Sequence, residues 1–312
     1  MSVLAFTLRR LLGAIPTLAV IVALSFLLTR LAPGGPFDEE QALPPEIRAN
    51  LEAAYGLDQP VTVQFGRYVR GLLRGDFGPS FKYRDFTVTE LIVSGLPVSL
   101  VVGLAALALA LLLGVPAVVS AALARGRWPD RLLMGFAAAG ISVPVFVIAP
   151  FLVLAFGIWL RWLPVAGWTP GRVADLVLPV LTLALPVIAY LARLTRGSLL
   201  EVLRAPWIRA ARARGLPERV VLFRHALPAA LVPVVSYLGP AAAAVLAGSL
   251  VVETIFGLPG MGRHLVQGAL NRDYTLVMGM VIVYAALMIA LNLAADLAHA
   301  WLDPRVRNGR SR

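Results

Sequence analysis

The chain contains no cysteine, which excludes disulfides, thiolate metal sites and a cysteine nucleophile. Its only lysine, Lys82, follows Phe81 rather than a glycine, so the lysine-tipped glycine loop that cradles nucleotide phosphates cannot be built. His225, His264 and His299 stand far apart without metal-ligand spacing, and no G-x-S-x-G elbow occurs. These absences speak against an enzyme. Charge is scarce too, with 14% of residues charged against 59% hydrophobic. Most of such a chain must lie in lipid. Among the apolar runs the acids are Glu253, at the outer end of the fifth, and Asp296, near the inner end of the last. A gradient-driven transporter builds its path from buried ionisable groups. Asp296 reads as an interfacial acid near the arginines of the tail, so the energy for any transport must come from elsewhere.

What is present is a series of apolar runs near 11–31, 98–124, 132–160, 176–192, 229–252 and 275–298. A helix needs about 20 apolar residues to cross a bilayer, so the pattern predicts an all-α membrane protein with about six transmembrane helices. The first run follows Arg9 and Arg10 as a signal peptide would, but Arg30 closes it and no small-x-small cleavage pattern follows. It reads as an uncleaved first span. With the N-terminus inside, the inner segments hold Arg9, Arg10, Arg125, Arg127, Arg131, the arginines from Arg193 to Arg224, and Arg305 to Arg312. The outer loops hold Arg161, Arg172, Arg263 and Arg272. Both termini are therefore expected in the cytoplasm. Much of the net charge of +11 is explained by this bias and by contact with a lipid bilayer, and a nucleic-acid partner gains little from it.

Four segments follow: an N-terminus with the first span (1–31), an extracytoplasmic insertion (32–96), a core of five spans (97–298) and a cytoplasmic tail (299–312). The insertion has turn formers, mixed charge and two helical stretches, 46–55 and 64–73, the second amphipathic on Phe65, Val69 and Leu72. It either caps the outer mouth or touches an external partner. Pro144, Pro150, Pro179 and Pro186 read as the ordinary prolines of membrane helices. The segment Glu253, Gly257, Pro259, Gly260 and Gly262 suits either a re-entrant outer gate or a plain outer loop.

The most informative stretch is basic and lies between two spans. Pro206 starts a short helix with Trp207, Ile208 and Ala211 on its apolar side and Arg209 and Arg212 elsewhere. Gly215 supplies the left-handed residue that ends it. Pro217 restarts a second helix, with Val220, Phe223 and Leu227 at helical spacing, and Pro228 breaks it. A helix-turn-helix knob on the cytoplasmic face is expected, with small Ala210, Ala211 and Ala213 open to close approach by another protein. A lipid-headgroup anchor is the competing reading.

The spacing of Ala210, Ala211, Gly215, Leu227 and Pro228 resembles the cytoplasmic signature loop of ABC importer permeases, E-A-A-x3-G followed by x11-L-P. Arg209 replaces the glutamate, as in the peptide-importing branch, and Ala210 stands where that branch usually has threonine. TRGSLLEVL at 195–203, ETIFGLPGMG at 253–262, GALNRDY at 268–274 and LDPRVR at 302–307 resemble the peptide and nickel importers. LAPGGPF at 31–37, LPPE at 43–46 and GDFGPSFKY at 75–83 are similar to the B-subunit branch of the oligopeptide permeases.

The resemblance implies a type I ABC importer permease fold in a bacterial inner membrane. It implies a homologous second permease, two ABC ATPase subunits and an extracytoplasmic peptide-binding protein as partners. ATP and magnesium would be used by the ATPases, with no cofactor, metal or catalytic residue on this chain. Trp207, Ile208, Arg209, Ala210, Ala211, Arg212, Gly215, Leu216, Leu227 and Pro228 would form the ATPase-coupling loop. Gly75, Asp76, Phe77 and Gly78 are candidates for contact with the binding protein. The alternatives are import of dipeptides, nickel or another small solute, or a passive channel or scaffold whose basic loop holds lipid.

Overall fold

The computed structural model describes residues 3–31, 56–83, 85–123 and 127–302. The stretch 46–55, LPPE and most of LDPRVR lie outside them. Ten helices run through the described residues: α1 (Val3–Leu31), α2 (Val61–Leu72), α3 (Val88–Leu123), α4 (Trp128–Ser142), α5 (Val145–Trp159), α6 (Ala174–Val202), α7 (Pro206–Ala213), α8 (Glu218–Ile255), α9 (Met261–Leu270) and α10 (Tyr274–Leu302). Five of them, α1, α3, α6, α8 and α10, are long and apolar enough to cross a membrane. The all-α, multi-span expectation therefore holds.

Three boundaries differ from the sequence reading. The run 132–160 is not one straight span: α4 and α5 meet at 111° around Val143 and Pro144. Pro144 takes extended geometry there (φ −63°, ψ 148°), and a proline disfavours helical geometry in the residue before it, so the helix ends at Ser142. Pro144 is thus a structural break, whereas Pro179 and Pro186 lie inside a continuous α6. Second, α3 starts at Val88, inside the stretch assigned to the insertion. Its start is a reciprocal capping box, in which Thr87 N–H donates to Glu90 Oε2 (2.8 Å) and Glu90 N–H to Thr87 Oγ1 (3.2 Å). Third, the helix after Pro217 does not stop at Pro228. A π-helical stretch, Val221–Ala226, carries it without interruption to Ile255, so that α8 is one helix. Pro228 has no N–H to give back to the preceding turn, so the continuous run forgoes one bond where π-helical geometry passes into α-helical, without ending there.

The chain forms two compact units. The first comprises Met1–Leu12, Leu100–Leu258 and Met288–Arg312. Its centre is α6, packed against α4 and α8. More than half of its apolar window is buried (56%), against 6% for α1, which marks α6 as the core helix of this unit. Small residues permit the approach: a Cβ on Gly140 of α4 would come within 2.8 Å of Ala189 Cβ on α6. Asp130 at the start of α4 is 3% exposed and takes a bidentate pair from Arg196 of α6, at 2.7 and 2.9 Å.

The second unit comprises Gly13–Ser99 and Pro259–Leu287. Phe26 of α1 packs edge-on against Phe65 of α2 (5.2 Å) and stacks on Tyr68. The amphipathic face expected for 64–73 is therefore the one that docks, on a helix starting three residues earlier at Val61.

Candidate coupling loop and outer elements

The basic loop folds as a short helix pinned by one face. Ala205 is extended (ψ 146°) and Pro206 occupies the first turn of α7. A proline lacks the N–H that would be orphaned there, so this start forfeits no bond. Ile208 is fully buried with Leu199, Val221, Leu222, Ala226 and Ala230, and Ala211 packs on that cluster. Burying an isoleucine side chain contributes about 1.5–3 kcal/mol. That burial decides which face of this eight-residue helix docks.

The outward face is made by Trp207, 47% exposed, and by exposed Arg209 and Ala210. Trp207 thus does not share the packed side with Ile208 and Ala211. Among the alanines, Ala210 and Ala213 are exposed, while Ala211 is turned toward the cluster. Arg212 pairs with Glu218 through Nε (3.0 Å) and Nη2 (2.5 Å), and this hydrogen bonding raises its guanidinium above the usual arginine range.

Gly215 ends α7 with φ +77°. Gly215 N–H donates to Arg212 C=O (2.9 Å) and Leu216 N–H to Ala211 C=O (3.4 Å), the two bonds of a Schellman closure. Nothing lies within 4 Å of a Cβ built there, so glycine is required by backbone conformation and not by space. Leu216 is exposed, Leu227 half-buried and Pro228 exposed. Phe223 departs from the expected face, being 58% exposed, because the π-helical stretch rotates the register and buries Val221, Leu222 and Ala226 instead.

The Gly- and Pro-rich segment after α8 is divided between the two units. Glu253 is fully buried, and Leu258 N–H to Glu253 C=O (2.9 Å) with Gly257 N–H to Thr254 C=O (3.3 Å) closes α8 in the same way as α7. Gly257 supplies the left-handed residue (φ +66°). In the second unit, Pro259 is half-buried and Gly260 and Gly262 are buried. Met261 N–H donates to Ser99 Oγ (2.9 Å), and a Cβ on Gly95 would meet Met261 N at 2.9 Å. This irregular backbone is held against protein, the setting in which it is tolerated at membrane depth.

The stretch 75–83 is anchored by a residue the sequence reading passed over. Asp273, fully buried, receives Ser80 Oγ–H (2.5 Å) and the N–H groups of Phe81 (3.2 Å), Lys82 (3.3 Å) and Leu276 (3.2 Å). It therefore caps the start of α10 and fixes the loop at once. Gly75 and Asp76 are exposed and Phe77 and Gly78 half-buried. The Asp76 carboxylate accepts the Gly78 N–H at 2.8 Å. Asp130, Arg196 and Asp273 were missed because their partners lie 66 and 193 residues away in the chain. The TVTE capping box, by contrast, was readable as a motif.

The family model described as "Binding-protein-dependent transport system inner membrane component" matches residues 110–308, and its N-terminal companion matches residues 3–103. The chain belongs to this family. It is a multi-pass inner-membrane protein of the permease kind. It is 51% identical over 305 residues to the oligopeptide transport system permease protein OppB of Salmonella typhimurium, covering 97% of this chain and 99% of that one. The OppB protein of Escherichia coli strain K12 is 50% identical over 304 residues, with the same coverage. The dipeptide transport system permease protein DppB of Bacillus subtilis is 38% identical over 302 residues, covering 97% of each. A solved amino acid ABC transporter chain aligns with 70% of this chain and 94% of its own at 21% identity and a TM-score of 0.49.

Proposed function

We propose that this chain is a permease subunit of an ATP-driven importer of oligopeptides. The observation that carries the reading is identity of half its residues to OppB proteins along nearly its whole length. The identity to the dipeptide permease is lower over the same coverage. A homologous second permease completes the path, two ABC ATPases bind beneath it, and an extracytoplasmic binding protein delivers peptide. Both termini face the cytoplasm, as the arginine distribution argues.

The chain's own part is mechanical. ATP and magnesium act in the ATPase subunits, whose movement reaches this subunit through α7. Its outer face offers Trp207, Arg209 and Ala210, while Ile208 ties it to the ends of α6 and α8. A rigid knob fastened to two long helices converts a push into a shift of both. The segment 253–262 serves as an outer gate element, and 75–78 meets the binding protein, with Asp273 holding that loop in place.

Purification from the native membrane tests this reading. The intact chain is expected to retain a second permease and ATPase subunits. An Ala210→Arg variant, altered on the outward face and away from the packed cluster, should lose the ATPases alone. Recovery of the chain by itself in both cases would overturn the assignment.

A further inference from the structure

One face of α6 carries polar residues that neither the core nor the coupling loop uses. Tyr190, Arg193, Gly197 and Glu201 are all exposed. At 3.6 residues per turn they fall within a wedge of about 80°. Leu191, Ala192, Thr195 and Leu199 point the other way and are buried. The wedge opens on a cleft of about 530 Å³ in the first unit, bounded across from α6 by Ile141 and Pro233. A second cleft of about 520 Å³ continues from it, sharing Tyr190 and Pro233 and adding Tyr237 and His299. Each volume is of ligand size. Tyr190 and Tyr237 stack there with ring centroids 4.0 Å apart.

Two features identify the occupant by its chemistry. Arg193 and Glu201 take part in no ion pair with each other or with any other described residue. By the arginine distribution Arg193 and Glu201 stand toward the cytoplasmic end of α6, where the wedge faces water, a polar partner or cargo rather than hydrocarbon. The two charges also have opposite sign and are eight residues apart, a rise of about 12 Å along the helix. An extended peptide advances about 3.3–3.6 Å per residue. A peptide of three to four residues therefore presents its terminal ammonium and carboxylate at a matching separation.

We infer that this face of α6 contacts the peptide in transit, with Arg193 taking the terminal carboxylate and Glu201 the terminal ammonium. Tyr190 and Tyr237 form an aromatic platform against which apolar side chains pass. Pro233, opposite on α8, has no N–H to offer the peptide backbone, so that side guides by shape. The assignment rests on the reading of the chain as a peptide permease.

The test is ATP-driven uptake into proteoliposomes holding the full complex, with saturating binding protein and labelled trialanine in free, C-terminally amidated and N-acetylated forms. Each variant is compared with wild type on the same peptide, so selectivity of the binding protein cancels. Arg193→Gln should slow the free peptide about tenfold or more, the scale of a lost hydrogen bond between charged groups, and leave the amide unchanged. Glu201→Gln should slow the free peptide and spare the acetylated one. Arg193→Lys should restore uptake of the free acid. Equal slowing of free and blocked peptides, no slowing of either, or failure of Arg193→Lys to restore uptake would overturn the inference. Absence of uptake of every form by the wild-type complex would instead refute the peptide-permease reading on which it stands.

Discussion

Removal of the Asp130 carboxylate should loosen α4 from α6 by an amount that geometry allows to be bounded. The pair is bidentate, at 2.7 and 2.9 Å, and Asp130 is 3% exposed while the Arg196 side chain is 28% exposed. Breaking a fully buried pair costs about 3–5 kcal/mol, most of it from the charge left behind. Water reaches part of Arg196, so Asp130→Ala should cost about 2–3 kcal/mol. The Arg196→Ala change should cost at least as much, because it strands the more buried partner. In a double-mutant cycle the two losses should overlap by about 2 kcal/mol. Tryptophan fluorescence during unfolding in mixed micelles of rising denaturing detergent would measure them. Additivity within about 0.5 kcal/mol would refute the pairing as an energetic tie. Since Arg196 lies within the last turns of α6 before α7, ATPase rate per peptide imported should also rise in both single variants if the tie transmits motion.

Other expectations follow from the same structure. Gly215→Pro removes an N–H that bonds Arg212 C=O and forbids φ +77°, so the protein should insert but uncouple ATP hydrolysis from uptake; Gly215→Asn should be tolerated far better, because asparagine accepts left-handed geometry. Breaking the exposed Arg212–Glu218 pair should change stability by less than about 1 kcal/mol in detergent unfolding. Asp273→Ala should raise hydrogen exchange at residues 80–83 and at the start of α10 together, since one carboxylate serves both. Burial, with Arg263 adding repulsion, holds the His264 imidazole below its ordinary value of 6.5, and it packs edge-on against Tyr83. The unfolded chain then binds the proton more readily, so protection of α9 should fall as pH drops below about 6.5 and this fall should flatten in His264→Gln.

The short helix α7 was legible because its limits are written in residues with strict backbone preferences, Pro206 at one end and Gly215 at the other. The apolar runs likewise reported the spans, since length and composition decide them. The helix after Pro217 was misread for a physical reason: the π-helical stretch shifts the apolar face by a fraction of a turn, and Pro228 falls at the junction of π- and α-helical geometry without breaking the helix. The bend at Pro144 was hidden inside one long apolar run, because composition does not register direction. The anchors Asp130, Arg196 and Asp273 depend on partners distant in the chain, and no local pattern announces such pairings.

If the proposed function is right, α7 passes work from separate ATPase subunits to peptide import. Uptake of a labelled oligopeptide into proteoliposomes holding the whole complex, with and without hydrolysable ATP, in wild type and Ala210→Arg, tests it most directly. Accumulation should require ATP and disappear in the variant while the permease pair remains assembled. Accumulation without ATP, or undiminished uptake by Ala210→Arg, would contradict it.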